Sequence, residues 1–329
     1  MGIAIRTAPI RVSGAPRRWA NRVLLGAVPV ALISTLLIFL MTYLATANPA
    51  AEKLGETATP AQIAQLDHTW GLDRGFFDQY FSWLSHAVSG NLGISYFSDT
   101  PVTDSIKQRI PIDLSITIVA VVVAVVLGFG FGILAALRRG SVFDRVVTIV
   151  ASTLTTIPEF WLAIMFVVLF AVTLGWLPSG GWIPFSQDPL AWLQHTILPG
   201  ASLGLTVAAS IARQLRNSLV ATLDEDFVVG ARVRGLSPRR VLFGHALRNA
   251  SAPAVATLGL SIPTLLGGAV IAETIFGLPG LGKFALDGAQ SHDIPVIQGV
   301  LIVSIGLVLI TNLFVDALLS WLRPATRRA

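Results

Sequence analysis

Three stretches carry the residue types and spacings that chemistry uses. GLPGLGKF, Gly277 to Phe284, has the glycines and lysine of a phosphate-cradling loop in the spacing G-x4-G-K, with Phe284 where a magnesium-binding Ser or Thr would stand. GASLG, Gly200 to Gly204, has the spacing of a nucleophile elbow, in which a strained strand-to-helix turn presents the serine. Glu159, directly after Pro158, places a carboxylate inside a long apolar run where an ionised group is costly to hold. The five histidines, His68, His86, His195, His245 and His292, show no metal-ligand spacing, so no metal site is expected. With no cysteine in the chain, thiolate metal sites, thiol nucleophiles and disulfides are excluded.

What these residues can do depends on the elements that position them. The chain has 329 residues, of which 53% are hydrophobic and 12% charged, with a mean hydropathy of +0.72. That composition describes a polytopic, all-helical membrane protein. The formal charge of +5 does not mark a nucleic-acid partner, because the basic residues are scattered among apolar runs with no basic stripe beside exposed aromatics. A crossing helix needs roughly 20 apolar residues, since each rises 1.5 Å through a hydrocarbon layer about 30 Å thick. Six runs qualify: Val23 to Leu44, Leu114 to Leu137, Thr148 to Val172, Ile197 to Leu219, Ala254 to Phe276, and Val296 to Trp321.

Basic residues stay on the cytoplasmic side of spans, and here they alternate. Arg6, Arg11, Arg17, Arg18 and Arg22 precede the first run; Arg138, Arg139 and Arg145 follow the second. Arg232, Arg234, Arg239, Arg240 and Arg248 lie between the fourth and fifth, and Arg323, Arg327 and Arg328 end the chain. Residues 45–113 hold eight acidic against four basic residues, the third-to-fourth connection has no Lys or Arg, and the loop after the fifth run has only Lys283. Both termini are therefore expected in the cytoplasm and these three loops outside. Residues 1–22 read as a cytoplasmic segment before a retained anchor at 23–44, 45–113 as a structured external cap, 114–321 as a five-helix core, and 322–329 as a tail.

On that topology GLPGLGKF follows a membrane helix on the external side, away from cytosolic nucleotide, and reads as a turn shaping the external mouth with Glu273, Pro279, Gly280 and Gly282. GASLG falls inside an apolar helix, where small residues serve close helix packing, as they do at Gly128 and Gly132. Glu159 lies near mid-membrane and is either a lining residue of a translocation path or a carboxylic acid held protonated or paired at a helix interface. Asn312 and Asp316, one turn apart near the inner end of the last run, read as makers of packing hydrogen bonds or of a polar contact on the gate side of that path.

The most informative stretch is cytoplasmic: DEDFVVGARVRGLSPRRVLFGHALRNASAP, Asp224 to Pro253. Asp224, Glu225 and Asp226 place negative charge at a helix start, where the helix dipole favours it. Gly235 can end that helix in a left-handed cap. Ser237 and Pro238 then supply an N-cap and a first-turn proline for a second short helix ending near Asn249. The predicted object is a pair of short helices about a tight turn, shaped to be gripped by another protein. An amphipathic hairpin lying on anionic lipid is the plainer alternative.

These residues resemble the cytoplasmic loop of the permease subunits of bacterial ABC importers in the dipeptide, oligopeptide and nickel family. The resemblance runs through Asp226-Phe227-Val228, Ala231-Arg232, Arg234-Gly235-Leu236-Ser237, His245-Ala246-Leu247-Arg248-Asn249-Ala250 and Pro253, with Phe227 in place of tyrosine and Arg234 in place of lysine. It continues, in order, at Asn48-Pro49, Gly71-Leu72-Asp73-Arg74, Gly90-Asn91-Leu92-Gly93, Leu177-Pro178, Leu198-Pro199, Pro279-Gly280-Leu281-Gly282, Asp293 to Gly299, and Asn312 to Asp316. The resemblance implies half of a translocation pore for di- or oligopeptides, without catalysis or a cofactor of its own. Two ATPase subunits would bind ATP and magnesium, a second and different permease chain would complete the pore, an external binding protein would deliver solute, and lipid would surround the whole. Coupling to the ATPase would fall on Glu225, Asp226, Phe227, Ala231, Arg232, Arg234, Gly235, Leu236, Ser237, Arg239 and Arg240. An ion-coupled secondary transporter or channel is the competing class, with Glu159 in its favour. A polytopic membrane enzyme would need a triad, carboxylate pair or metal cluster that the sequence does not show.

Overall fold

The computed structural model describes residues 28–44 and 48–322. The expected start of the first span at Val23, the arginines of residues 1–22, and Arg323, Arg327 and Arg328 lie outside the described residues. Among those described there is no strand beyond a single antiparallel bridge, Ile94 to Pro101. The helices, numbered in chain order, are α1 (Val28–Leu44), α2 (Pro49–Leu54), α3 (Pro60–Trp70), α4 (Phe76–Val88), α5 (Val102–Leu137) and α6 (Val142–Leu154). They continue as α7 (Glu159–Thr173), α8 (Pro189–Leu223), α9 (Asp226–Val233), α10 (Pro238–Ile275), α11 (Leu281–Gln290) and α12 (Ile294–Leu322).

Helices α5 and α8 form the centre, and they run parallel. Trp192 Nε1 donates to Ser115 Oγ at 2.9 Å near one end, and Arg139 pairs with Asp224 at 2.9 Å just past the other. Small residues permit the approach between these two rungs. A Cβ on Gly132 would lie 2.9 Å from the Ala212 carbonyl oxygen, and one on Gly204 would overlap the backbone of Ala120. The elbow-like serine belongs to this seam: Ser202 is buried and its hydroxyl donates to the Pro199 carbonyl at 2.8 Å, within its own helix.

Two parallel crossings require a return between them, which α6 and α7 supply. Asp144 of α6 meets Arg216 near the end of α8, Glu159 meets Thr206 at its middle, and the Gly180 carbonyl meets His195 near its start. This crossing is not the straight span expected over Thr148 to Val172: its halves meet at 105° across residues 155–158. The break falls at Pro158, which has extended geometry (φ −62°, ψ 138°), and proline also disfavours helical geometry at the residue before it. The second half then runs π-helical from Val167 to Thr173.

Helix α5 begins at Val102, well ahead of Leu114, so the cap expected over 45–113 gives up its last part to a membrane helix. The rest of it is α2 to α4, with Asn48 and Thr59 capping the first two and Gly71 (φ 71°) closing α3. Another departure is on the opposite side. The second short helix expected to end near Asn249 does not end: Pro238 to Ile275 is one 38-residue helix, carried past Leu242–Ala246 by π-helical bonding. Among the described residues four helices, α5, α8, α10 and α12, are long and apolar enough to cross alone, and the bent α6–α7 pair, taken as one span, is long and apolar enough for a fifth. Helix α1 is a mostly apolar helix of 17 described residues, about 26 Å long, so a sixth crossing is not established by length.

Candidate coupling turn and translocation path

The turn between α9 and α10 has its geometry written in backbone hydrogen bonds. Gly235 has φ 77°, its amide donates to the Arg232 carbonyl at 2.9 Å, and the Leu236 amide donates to the Ala231 carbonyl at 3.3 Å. These two bonds make a Schellman cap, satisfying carbonyls the helix end would otherwise leave unpaired. No neighbour would touch a Cβ at Gly235, so the glycine answers to backbone conformation rather than to crowding. One face of the turn is anchored: Val228, Ala231, Val241 and Leu242 are buried in the main apolar core, with Leu236 against it. The other face is open. Glu225, Asp226, Arg232, Arg234, Ser237, Arg239 and Arg240 are exposed, and so are Phe227, Val229, Val233 (82% exposed) and Phe243. The sequence reading did not single out Val229, Val233 and Phe243. Their signal is apolar side chains on a strongly charged stretch, out of phase with the buried set.

Glu159 stands at the start of α7, directly after the break, and is half-buried. Its Oε1 accepts from Thr206 Oγ1 at 3.3 Å, and its Oε2 lies 2.8 Å from where a Cβ on Gly268 would be. The carboxylate thus sits where α7, α8 and α10 converge, opposite the midpoint of α8. Asn312 and Asp316 lie on exposed positions of α12 and share no element with it.

On the opposite side from the Gly235 turn, the phosphate-loop spacing resolves into a buried knot. Glu273 has 0% exposure; its Oε2 accepts from the Lys283 amide at 2.6 Å, while Asp113 Oδ2 accepts from the Leu281 amide at 2.9 Å. The amides at the start of α11, where a bound phosphate would need them, are therefore taken by the chain's own carboxylates. A Cβ on Gly280 would overlap the Glu273 carboxyl, and one on Gly282 would overlap Val270. Pro279 is exposed at the tip. Glu273, Gly280 and Gly282 are thus brought together, as an internal clasp rather than an open lining.

The cap is tied down to the membrane helices. Tyr80 Oη and Thr35 Oγ1 are 3.1 Å apart, Asp293 accepts from the Tyr96 amide at 3.2 Å and from Ser95 Oγ, and Trp70 stacks on Tyr96 with ring centroids 4.2 Å apart. Burial and the adjacent Asp293 carboxylate push the Tyr96 phenol above the usual tyrosine range. Among the described residues no group of three or more His, Asp or Glu side chains is placed to hold a metal ion.

Against this geometry, comparison with known proteins is consistent over the length of the chain. The family described as binding-protein-dependent transport system inner membrane component matches residues 128–328, and its N-terminal companion matches 17–117. A di/tripeptide transport system permease protein of Pseudomonas aeruginosa is 35% identical over 314 residues, spanning 89% of this chain and 94% of the relative. A glutathione transport system permease protein of Escherichia coli O6:H1 is 38% identical over 305 residues, spanning 92% and 97%. Among solved structures, an inward-facing conformation of the MetNI methionine ABC transporter superposes with a TM-score of 0.54 at 21% identity, covering 66% of this chain and 95% of that one, which establishes a shared fold.

Proposed function

The chain belongs to the binding-protein-dependent transport system inner membrane components, the multi-pass permease subunits of bacterial ABC importers, and from that premise we propose that it forms half of a peptide pathway driven through the turn at Gly235. Family membership favours this reading over the ion-coupled transporter and the membrane enzyme. The reading of the substrate as a di- or oligopeptide follows the relatives' names and extends them to this chain.

The observation that carries the coupling proposal is the union of an exposed, cap-closed turn with a continuous 38-residue helix. Phe227, Val229, Val233 and Phe243 offer exposed apolar anchors on a stretch that also exposes Arg232, Arg234, Arg239 and Arg240, a composition suited to a protein partner. That partner is an ATPase subunit, one of two, holding ATP and magnesium. Because α10 runs unbroken from the turn to the Glu273 clasp, a displacement of the turn moves a whole membrane crossing. ATP binding shifts the pore between inward-open and outward-open states only through different contacts in the two states, and this turn is where such contacts are made. Glu159 lines the path at its middle. A second, different permease chain completes the pore, and the α2–α4 cap meets the external binding protein.

The test is gentle extraction of the chain from its native membrane. Co-purification of a phosphate-loop ATPase and a second permease, with hydrolysis that fails when residues 232–237 are replaced by a Gly-Ser linker, supports the reading. Isolation of the chain alone, without hydrolysis, under conditions that hold other importers together, overturns it.

A further inference from the structure

One helix of the cap carries an apolar stripe that the chain's own packing leaves uncovered. In α4 the side chains of Phe76, Tyr80, Trp83 and Ala87 are buried or half-buried, while Asp78, Ser85 and His86 are exposed on the polar side. Between those two faces Phe77 (64% exposed), Phe81 (60%), Leu84 and Val88 (81%) follow one another at helical spacing. The Phe77 and Phe81 rings stack with centroids 6.3 Å apart. The neighbouring cap helix α3 exposes Gln62, Gln65 and His68 instead.

We propose that this stripe lies among the acyl chains of the outer leaflet, so that α4 anchors the cap in the membrane instead of standing above it with α2 and α3. Helix α1 supplies the depth gauge. It carries no charged residue, and Leu37, Met41 and Leu44 are exposed up to its outer end, an arrangement costly against water and natural against lipid. Tyr43, exposed beside that end, sits where aromatic residues mark the boundary between membrane and water. Helix α4 starts at this boundary and packs inward from it. The Phe76 ring meets those of Tyr43 and Phe39 at 5.2 and 5.3 Å, and the Tyr80 ring meets Phe39 at 5.6 Å. The Tyr80 hydroxyl lies 3.1 Å from Thr35 Oγ1 and donates to the Leu32 carbonyl at 3.3 Å. Phe39 lies roughly 7 Å of helix inward of Leu44, and Thr35 roughly 13 Å. Both depths fall within one leaflet, whose hydrocarbon is about 15 Å thick. Phe77 and Phe81 directly follow Phe76 and Tyr80, so they share that depth. Aromatic side chains on the apolar face of an amphipathic helix hold it in a bilayer in this way.

The chain has no cysteine, so a single introduced cysteine takes a nitroxide spin label at one known place. The experiment labels Phe81→Cys on α4, Met41→Cys on α1 and Gln65→Cys on α3, each in the full chain with its co-extracted partners. The samples sit in nanodiscs of phosphatidylethanolamine and phosphatidylglycerol, and each label's collisions with oxygen, which partitions into lipid, are compared with those with a water-soluble nickel chelate. At Phe81 the label is expected to meet oxygen and be shielded from the chelate, as at Met41, with the order reversed at Gln65. If Phe81→Cys does not assemble, Phe77→Cys reads the same stripe. Chelate access at Phe81 equal to that at Gln65 overturns the proposal and places α4 in water. Shielding of Phe81 from both reagents also overturns it and marks a protein cover, from the second permease chain or the external binding protein. Chelate access at Met41 removes the depth gauge and the proposal with it.

Discussion

Arg216 and Asp144 meet as a two-pronged pair, with Nε and Nη2 of the arginine donating to the two carboxylate oxygens at 2.9 and 2.7 Å. Asp144 is buried and also accepts from the Gly140 amide at 2.9 Å, so one side chain fixes the entry to α6 and joins it to α8. Removing the arginine strands a buried carboxylate, which costs more than the pair itself contributes. Arg216→Gln is expected to lower the stability of the solubilised chain by about 2 kcal/mol, and adding Asp144→Asn is expected to recover part of that loss. A thermal-melt double-mutant cycle checks it; strictly additive losses would show that the two groups do not couple.

The α5–α8 seam makes a sharper distinction between glycines. Gly204→Ala presses a methyl onto the Ala120 backbone and is expected to cost about 1–3 kcal/mol. Gly130→Ala, on the same α5 but with open space around the new Cβ, is expected to be neutral or slightly stabilising. Equal melting shifts for the two would mean that the helices do not approach as closely as described.

Tyr96 gives the cap a signature at high pH. Burial and Asp293 hold its proton more tightly in the folded state than the ordinary value of about 10. The sign follows: this contribution to stability is present in full below about pH 10 and is lost as pH rises beyond it, toward the raised folded value. Tyrosinate absorbance should differ little between the folded wild type and Tyr96→Phe just above pH 10, and the substitution should flatten the alkaline loss of cap stability. A full tyrosinate signal from Tyr96 near pH 10 would contradict its burial.

Much of this architecture is legible in the residues, and its failures have physical causes. The apolar runs and alternating arginines locate α5, α8, α10 and α12, and a Gly-Leu-Ser-Pro turn announces the Gly235 cap. The start of α5 is hidden because residues 102–113 carry Asp104, Lys107, Arg109, Pro111 and Asp113, which read as loop until Asp113 is seen buried against the α11 amides. Proline misleads in both directions: Pro158 breaks a span that hydropathy draws straight, while Pro111, Pro199, Pro253 and Pro263 stay within helices because tertiary contacts outweigh the lost bond.

Glu159 and Thr206 supply the prediction for the path. Glu159→Gln keeps the size and the Thr206 contact while removing the charge, so assembly with the ATPase should persist. Uptake of peptides with a net positive charge is expected to fall about tenfold relative to neutral ones, in line with one lost charge contact at low dielectric. Competition uptake with lysine-containing and alanine-only tripeptides measures this; an unchanged preference would remove Glu159 from the path.

The central claim is that the left-handed turn at Gly235 passes ATPase movement to α10. It is tested most directly by ATP-dependent uptake in reconstituted vesicles carrying Gly235→Asn, Gly235→Val or Gly230→Val. Asparagine tolerates positive φ, whereas a β-branched residue there costs about 1–2 kcal/mol or more. Gly230 has equal open space within the regular α9 helix. The account predicts near-normal uptake for Gly235→Asn, a smaller loss for Gly230→Val, and for Gly235→Val uptake reduced about tenfold or more with hydrolysis no longer stimulated by solute. Normal uptake by Gly235→Val would contradict it.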